Sequence, residues 1–191
     1  MSLFRQILNL DAPTSPDLPV DPNAPLPDIT AGKTASVKQI AAALSSLPPA
    51  RARFLAAFAY LLGRAAFANL SVSEAEKAEM KRLGSVAGLD PDTTRLVVEL
   101  ALMQAGEFGA TEDYLVTREF KAISTMEERL RLIRACFLVM AADDEVDANE
   151  AWLVNRVAEE LDVERTDLNA IRAEFHERLS SVRSVREVAA E

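Results

Sequence analysis

Cysteine and histidine are nearly missing from this chain: Cys136 and His176 are the only ones in 191 residues. A lone cysteine forms no intrachain disulfide and no thiolate cage for zinc. It sits in the apolar helical run from Ile133 to Leu138, which points to burial rather than nucleophilic chemistry. The single histidine has no evident partner, so Ser–His and Cys–His catalytic pairs are not expected. Glycine is scarce, at 6 residues, and aromatics make up 6% against a hydrophobic share of 49%. A core of Ala, Leu and Val follows, which favours close-packed helices over a sheet. Basic residues are the minority, 21 against 30 acidic, for a net charge of −9. Non-specific nucleic-acid binding needs clustered Lys and Arg and is not expected. The charge is compatible with a bound cation or a basic partner, but plain solubility is the simpler reading.

Long apolar runs are missing too. The richest, Phe54 to Leu62, is bracketed by Arg51, Arg53 and Arg64 and falls short of the roughly 18 apolar residues of a membrane span. Met1 to Leu10 has neither the apolar core nor the small-residue cleavage site of a signal peptide. The expectation is a cytoplasmic protein with no transmembrane segment.

What is present is helical periodicity. Residues 1–10 form a short amphipathic element through Leu3, Phe4, Ile7, Leu8 and Leu10. So few turns are marginal alone in water and must dock on the domain, a partner or a membrane surface. Residues 11–33 carry Pro13, Pro16, Pro19, Pro22, Pro25 and Pro27 and read as an extended linker. Residues 34–183 read as one helical domain, and 184–191 as a frayed tail. Within the domain, Ile40, Ala41 and Leu44 stripe one helix. Pro48-Pro49 stops it, and Arg51 to Ala68 is apolar on most faces, the mark of a central helix. Asp90-Pro91 supplies a cap and a first helical position. Thr111 is read as the cap of a helix with Tyr114, Leu115, Phe120 and Ile123 inward. Thr125 with Glu128 and Asp147 with Glu150 have the spacing of capping boxes, as do Ser73 and Glu76. The last helix, from about Glu164, carries Leu168, Ile171 and Phe175.

The acidic stretch Ala141 to Glu150 has an earlier, paler copy. Residues 68–76 lie over 142–150, and the match continues without gaps through Leu83 over Val157 and Leu89 over Val163. Each copy reads as helix, polar turn, capped helix, short turn, helix. Two such units predict an all-α, duplicated, pseudo-symmetric helical bundle, with Arg51–Ala68 and Met126–Ala141 as its central pair.

These residues resemble the TerB-like family, named for bacterial tellurite-resistance proteins and related to the N-terminal domain of the DjlA co-chaperone. The family pattern is Ala-Asp-Gly, an aliphatic residue, then a Glu before a leucine-rich helix. Here it reads Ala142-Asp143-Asp144-Glu145-Val146-Asp147-Ala148-Asn149-Glu150, with Asp144 in the usual glycine's place. The segments Glu127 to Ile133 and Val157 to Val163 also look like the family. The first copy departs further, with Asn69-Leu70 for Asp-Gly. The resemblance covers roughly Phe54 to Leu179. It implies an all-helical fold, a link to tellurite or other chemical stress, a metal-associated acidic site, and a place in assemblies near the bacterial membrane.

Asp143, Asp144, Glu145, Asp147 and Glu150 crowd carboxylates into one loop and one helical turn. Hard cations such as Ca²⁺ or Mg²⁺ take clustered oxygen ligands. The stretch lacks the length, glycine and distal Glu of an EF-hand. Helix capping alone explains Asp147 and Glu150, since both copies keep the capping pair. Asp143, Asp144 and Glu145 are surplus to it. The resulting expectation is a non-enzymatic domain that acts by protein interaction with a protein partner; capping alone is the preferred reading of the acidic stretch, and a weakly held Ca²⁺ or Mg²⁺ is the alternative to it. A metal-dependent hydrolase would need carboxylates converging from two helices, and the first copy offers only Glu74, Glu76 and Glu79. A purely structural assembly module is the remaining alternative. Trp152, just inside the following helix, is core if buried and interface if exposed. Arg118, Lys121, Arg129, Arg131 and Arg134 are expected to form local ion pairs.

Overall fold

The computed structural model describes residues 3–8, 21, 23–26, 35–66, 82, 89–103, 110–141 and 148–175. All regular structure among them is helical. In chain order the helices are α1 (Leu3–Ile7), α2 (Ala35–Ser45), α3 (Pro49–Ala66), α4 (Pro91–Met103), α5 (Ala110–Ile123), α6 (Met126–Met140) and α7 (Ala148–Glu160). The eighth, α8, is helical over 165–175.

The bundle is built around α3. Pro49, whose fixed φ suits a first helical position, opens it. Residues 52–62 are then buried without interruption. A helix covered on all sides needs neighbours on all sides, and α3 packs against α1, α2, α4, α5, α6 and α7. Small residues allow this: Ala52, Ala56, Ala57, Ala59 and Ala65 bring neighbouring backbones close. Between them Phe54 and Phe58 meet Phe120 of α5, with ring centroids 5.5 and 6.2 Å apart. At the other end of the chain, Phe137 of α6 stacks on Phe175 of α8 at 5.9 Å.

The helix ends follow local chemistry. Asp90 caps α4, its Oδ1 accepting from the backbone N–H groups of Asp92 and Thr93 at 3.1 and 3.0 Å. The Thr93 hydroxyl also donates to it, and these bonds hold the Asp90 carboxyl below its ordinary pKa. Thr125 and Glu128 form the reciprocal box expected at the start of α6, an arrangement that stabilises a helix by about 0.5–2 kcal/mol. α7 ends in a Schellman motif. Val163 N–H bonds to Ala158 C=O and Asp162 N–H to Glu159 C=O. Asp162 holds the left-handed position at φ 54° that glycine usually takes. Its carboxylate is gripped by Lys121 Nζ at 2.6 Å. Arg129 closes the same corner, donating to the carbonyls of Leu161 (2.9 Å) and Lys121 (2.7 Å). These are the orphan acceptors that helix C-termini leave.

Two expectations shift. α5 begins at Ala110, so Thr111 lies inside its first turn rather than at the cap. Tyr114 is 61% exposed, not inward. The buried stripe of α5 is Val116, Thr117, Glu119 and Phe120, and Tyr114 falls off it.

α3 and α6, the expected central pair, pack together. Their last residues, Ala66 and Met140, stand at matching positions of the two sequence copies, as do the helix starts at Pro91 and Arg165. The turn and helix of the first copy at 67–81, with Ser73 and Glu76, lie outside the described residues, as does the tail at 184–191. So the twofold arrangement of the two copies is not among the described features.

At the N-terminus, Ile7 and Leu8 are fully buried and α1 packs on α3. Part of the proline-rich stretch is seated as well. Arg53 Nη1 donates to Asp21 C=O at 3.3 Å, and Leu26 packs against the core.

Candidate functional site

Asp143, Asp144, Glu145 and Asp147 lie outside the described residues. α7 begins at Ala148, one residue after Asp147, so Glu150 belongs to its first turn. Among the described residues no group of three or more His, Cys, Asp or Glu side chains is placed to hold a metal ion.

Two residues after Glu150 on α7, Trp152 is 61% exposed. The guanidinium of Arg156 stands 5.7 Å from its ring centre, within cation–π range. Arg156 Nε also bonds to Glu160 Oε1 at 3.2 Å. A residue one helical turn away thus holds the Arg against the ring.

Glu160 leads inward to a polar cluster that sequence reasoning missed. Arg64 of α3 is 8% exposed. Its Nη1 bonds to Glu160 Oε2 at 3.1 Å. Its Nε lies 3.3 Å from Asp113 Oδ2, an ion pair by distance whose angle falls outside hydrogen-bond geometry. Tyr60, one turn earlier on α3, donates its hydroxyl to Asp113 Oδ1 at 2.7 Å. One guanidinium and one phenol on α3 therefore fasten α5 and α7. Cys136 lies near Arg64, but its thiol is fully buried and burial pushes its pKa up to about 12. It is a neutral core side chain, as its apolar run suggested.

A second buried pair lies towards the start of α3. Arg53 is 1% exposed and Glu119 of α5 is 7% exposed. Burial raises the Glu119 pKa, with Arg53 and then Arg118 opposing it. Burial likewise lowers that of Arg53 against the pull of Glu119 and Asp21. The Arg64 cluster fixes helix positions, because Arg64, Asp113 and Glu160 take up one another's charge, while Arg53 and Glu119 attract one another between α3 and α5. A groove of about 450 Å³ also opens between α2 and α4, lined by Ile40, Leu47, Leu96, Asp92, Arg95 and Glu99. It mixes apolar side chains with both signs of charge.

Of the basic residues expected to pair locally, Arg131 bonds to Glu127 and Arg134 to Glu174 across to α8. Arg118 sits over Tyr114. Arg129 differs, serving backbone carbonyls instead. The signal for the buried clusters was available: Arg53, Tyr60 and Arg64 interrupt an otherwise apolar helix that must be central. The partners, 53 and 96 residues further along the chain, were not legible.

No helix among the described residues is long and apolar enough to cross a membrane. No curated protein and no solved structure matches the chain. The family model described as tellurite resistance protein TerB matches residues 54–173, from α3 into α8, taking in the buried Arg64 cluster and the acidic sequence 143–150, and the chain belongs to that family.

Proposed function

We propose that this protein is a non-enzymatic TerB domain that acts by protein interaction in a bacterial response to tellurite or other chemical stress. Its contact surface is the exposed side of α7 together with the acidic turn before it. A weakly held Ca²⁺ or Mg²⁺ at Asp143, Asp144, Glu145, Asp147 and Glu150 tunes that surface.

The observation that carries this reading is Trp152. It is the only tryptophan of the chain, and it stands 61% exposed two residues after Glu150. Tryptophan and arginine together are the side chains most enriched among residues that dominate binding energy. The ring is backed by Arg156, which is tied through Glu160 to Arg64 in the bundle interior. A partner would therefore meet a ring already backed by Arg156, and less conformational freedom would be lost on binding. The described acidic groups also favour interaction over hydrolysis. Asp113 of α5 and Glu160 of α7 do converge from two helices, but on a guanidinium rather than on open space.

Affinity capture from the native host, with wild type and Trp152→Ala compared by mass spectrometry, tests this reading. The variant is expected to keep its stability within about 0.5 kcal/mol, as an exposed position should, and to lose at least one partner that wild type retains. Identical partner sets would remove Trp152 from the interface and the reading with it.

A further inference from the structure

We propose that residues 3–8 with 21 and 23–26 form a detachable strap over α3, one that opens and closes while the rest of the bundle stays folded. The inference is independent of the α7 surface. It rests first on where the anchors lie. Ile7 and Leu8 are both fully buried, and α1 packs on α3. The second anchor is the Asp21 turn, closed by Asn23 N–H to Asp21 Oδ1 (2.9 Å) and Ala24 N–H to Asp21 C=O (3.1 Å). It receives Arg53 Nη1 on that same carbonyl and sets Leu26 against the core.

The second ground is what α3 does without the strap. It is held independently by α2, α4, α5, α6 and α7. The family-matched span begins at residue 54, so both anchors lie outside it. The third ground is polar. Gln6 Oε1 in α1 and Glu119 Oε1 opposite Arg53 are both buried without a hydrogen-bond partner. Opening would let water reach groups that the closed state leaves unsatisfied. A five-residue helix contributes little order of its own. Opening therefore gives up the burial of Ile7, Leu8 and Leu26 and the Arg53 bond to Asp21, a loss confined to the strap, and exposes Gln6 Oε1 to water. Segments with few buried contacts open at lower free energy than the core to which they are attached. The strap makes access to this side of α3 a matter of the chain's own N-terminus.

Thiol labelling of the full chain tests the strap, with Cys136 as an internal reference because it is fully buried on α6. Leu8→Cys is made in a Cys136→Ser background. Its labelling by an aromatic disulfide is compared with that of Cys136 in wild type, each relative to its own rate in urea. Leu8→Cys is expected to be protected, yet to label about 100-fold or more faster than Cys136, because local openings lie well below global unfolding. Its rate should depend little on low urea. Protection equal to that of Cys136 would make the N-terminus part of the cooperative core and overturn the proposal. Labelling as fast as in urea would mean the strap never closes and would overturn it equally. Ile7→Asp with Leu8→Asp supplies the second arm. A cooperative melt close to that of wild type is expected, and loss of folding would contradict detachability.

Discussion

Replacing Arg64 with methionine should destabilise the protein by about 3 kcal/mol, the low end of the range for breaking a buried ion pair. The methionine fills most of the volume but leaves two carboxylates facing a neutral side chain. Asp113 keeps the Tyr60 hydroxyl and Glu160 keeps Arg156, and their side chains are 18% and 24% exposed. Both features hold the loss to that low end. Chemical denaturation of wild type and variant measures it. The Arg131–Glu127 pair supplies the contrast, since it is exposed and spans one helical turn. Arg131→Met should change stability by only about 0.3–0.5 kcal/mol. Equal effects at the two positions would show that the Arg64 cluster does not tie α3 to α5 and α7.

Phe120→Ala should weaken the fold by about 3–5 kcal/mol. Phe120 is fully buried and touches Phe54 and Phe58 from the opposite helix. Those rings sit on a helix packed on all sides, so the surroundings have little room to collapse into the void. The loss is a large share of the roughly 5–15 kcal/mol that keeps a domain folded. The same denaturation experiment reads it, and a change below 1 kcal/mol would place the ring outside the core.

These two variants mark the boundary of what the sequence made legible. Phe54, Phe58, Leu55 and Leu62 announce a central helix by leaving no polar face, and α3 is that helix. Asp90 before Pro91 and Thr125 before Glu128 announce helix starts, because capping is local chemistry and local spacing records it. Arg53 and Arg64 looked like the ends of an apolar run. Their burial depends on Glu119, Asp113 and Glu160, and contacts at such separation leave no periodic trace. Tyr114 misled for a related reason. Thr117 and Glu119 look solvent-facing by type but are buried, which turns the helix away from the orientation its apolar residues suggest. Asp162 shows a third kind of limit. Residue type alone would place glycine at a left-handed helix end, and the sequence has Gly88 at the matching position of the first copy. In the second copy Lys121 sits on the aspartate instead.

The candidate site was legible only as chemistry. Five carboxylates between Asp143 and Glu150 exceed what capping requires, and comparison with residues 68–76 isolates Asp143, Asp144 and Glu145 as the excess. The structure adds the neighbour: an exposed Trp152 backed by Arg156, linked through Glu160 to Arg64 of α3. On this account the turn carries function because its charge goes beyond its structural need.

The most direct test is calorimetric titration of the full chain with Ca²⁺, Mg²⁺ and Mn²⁺, with wild type set beside Asp143→Asn combined with Glu150→Gln. The account predicts weak binding heat for wild type with at least one of these cations, and its loss in the variant while the melting transition is retained. No heat in any titration, or equal heat from both proteins, would contradict it.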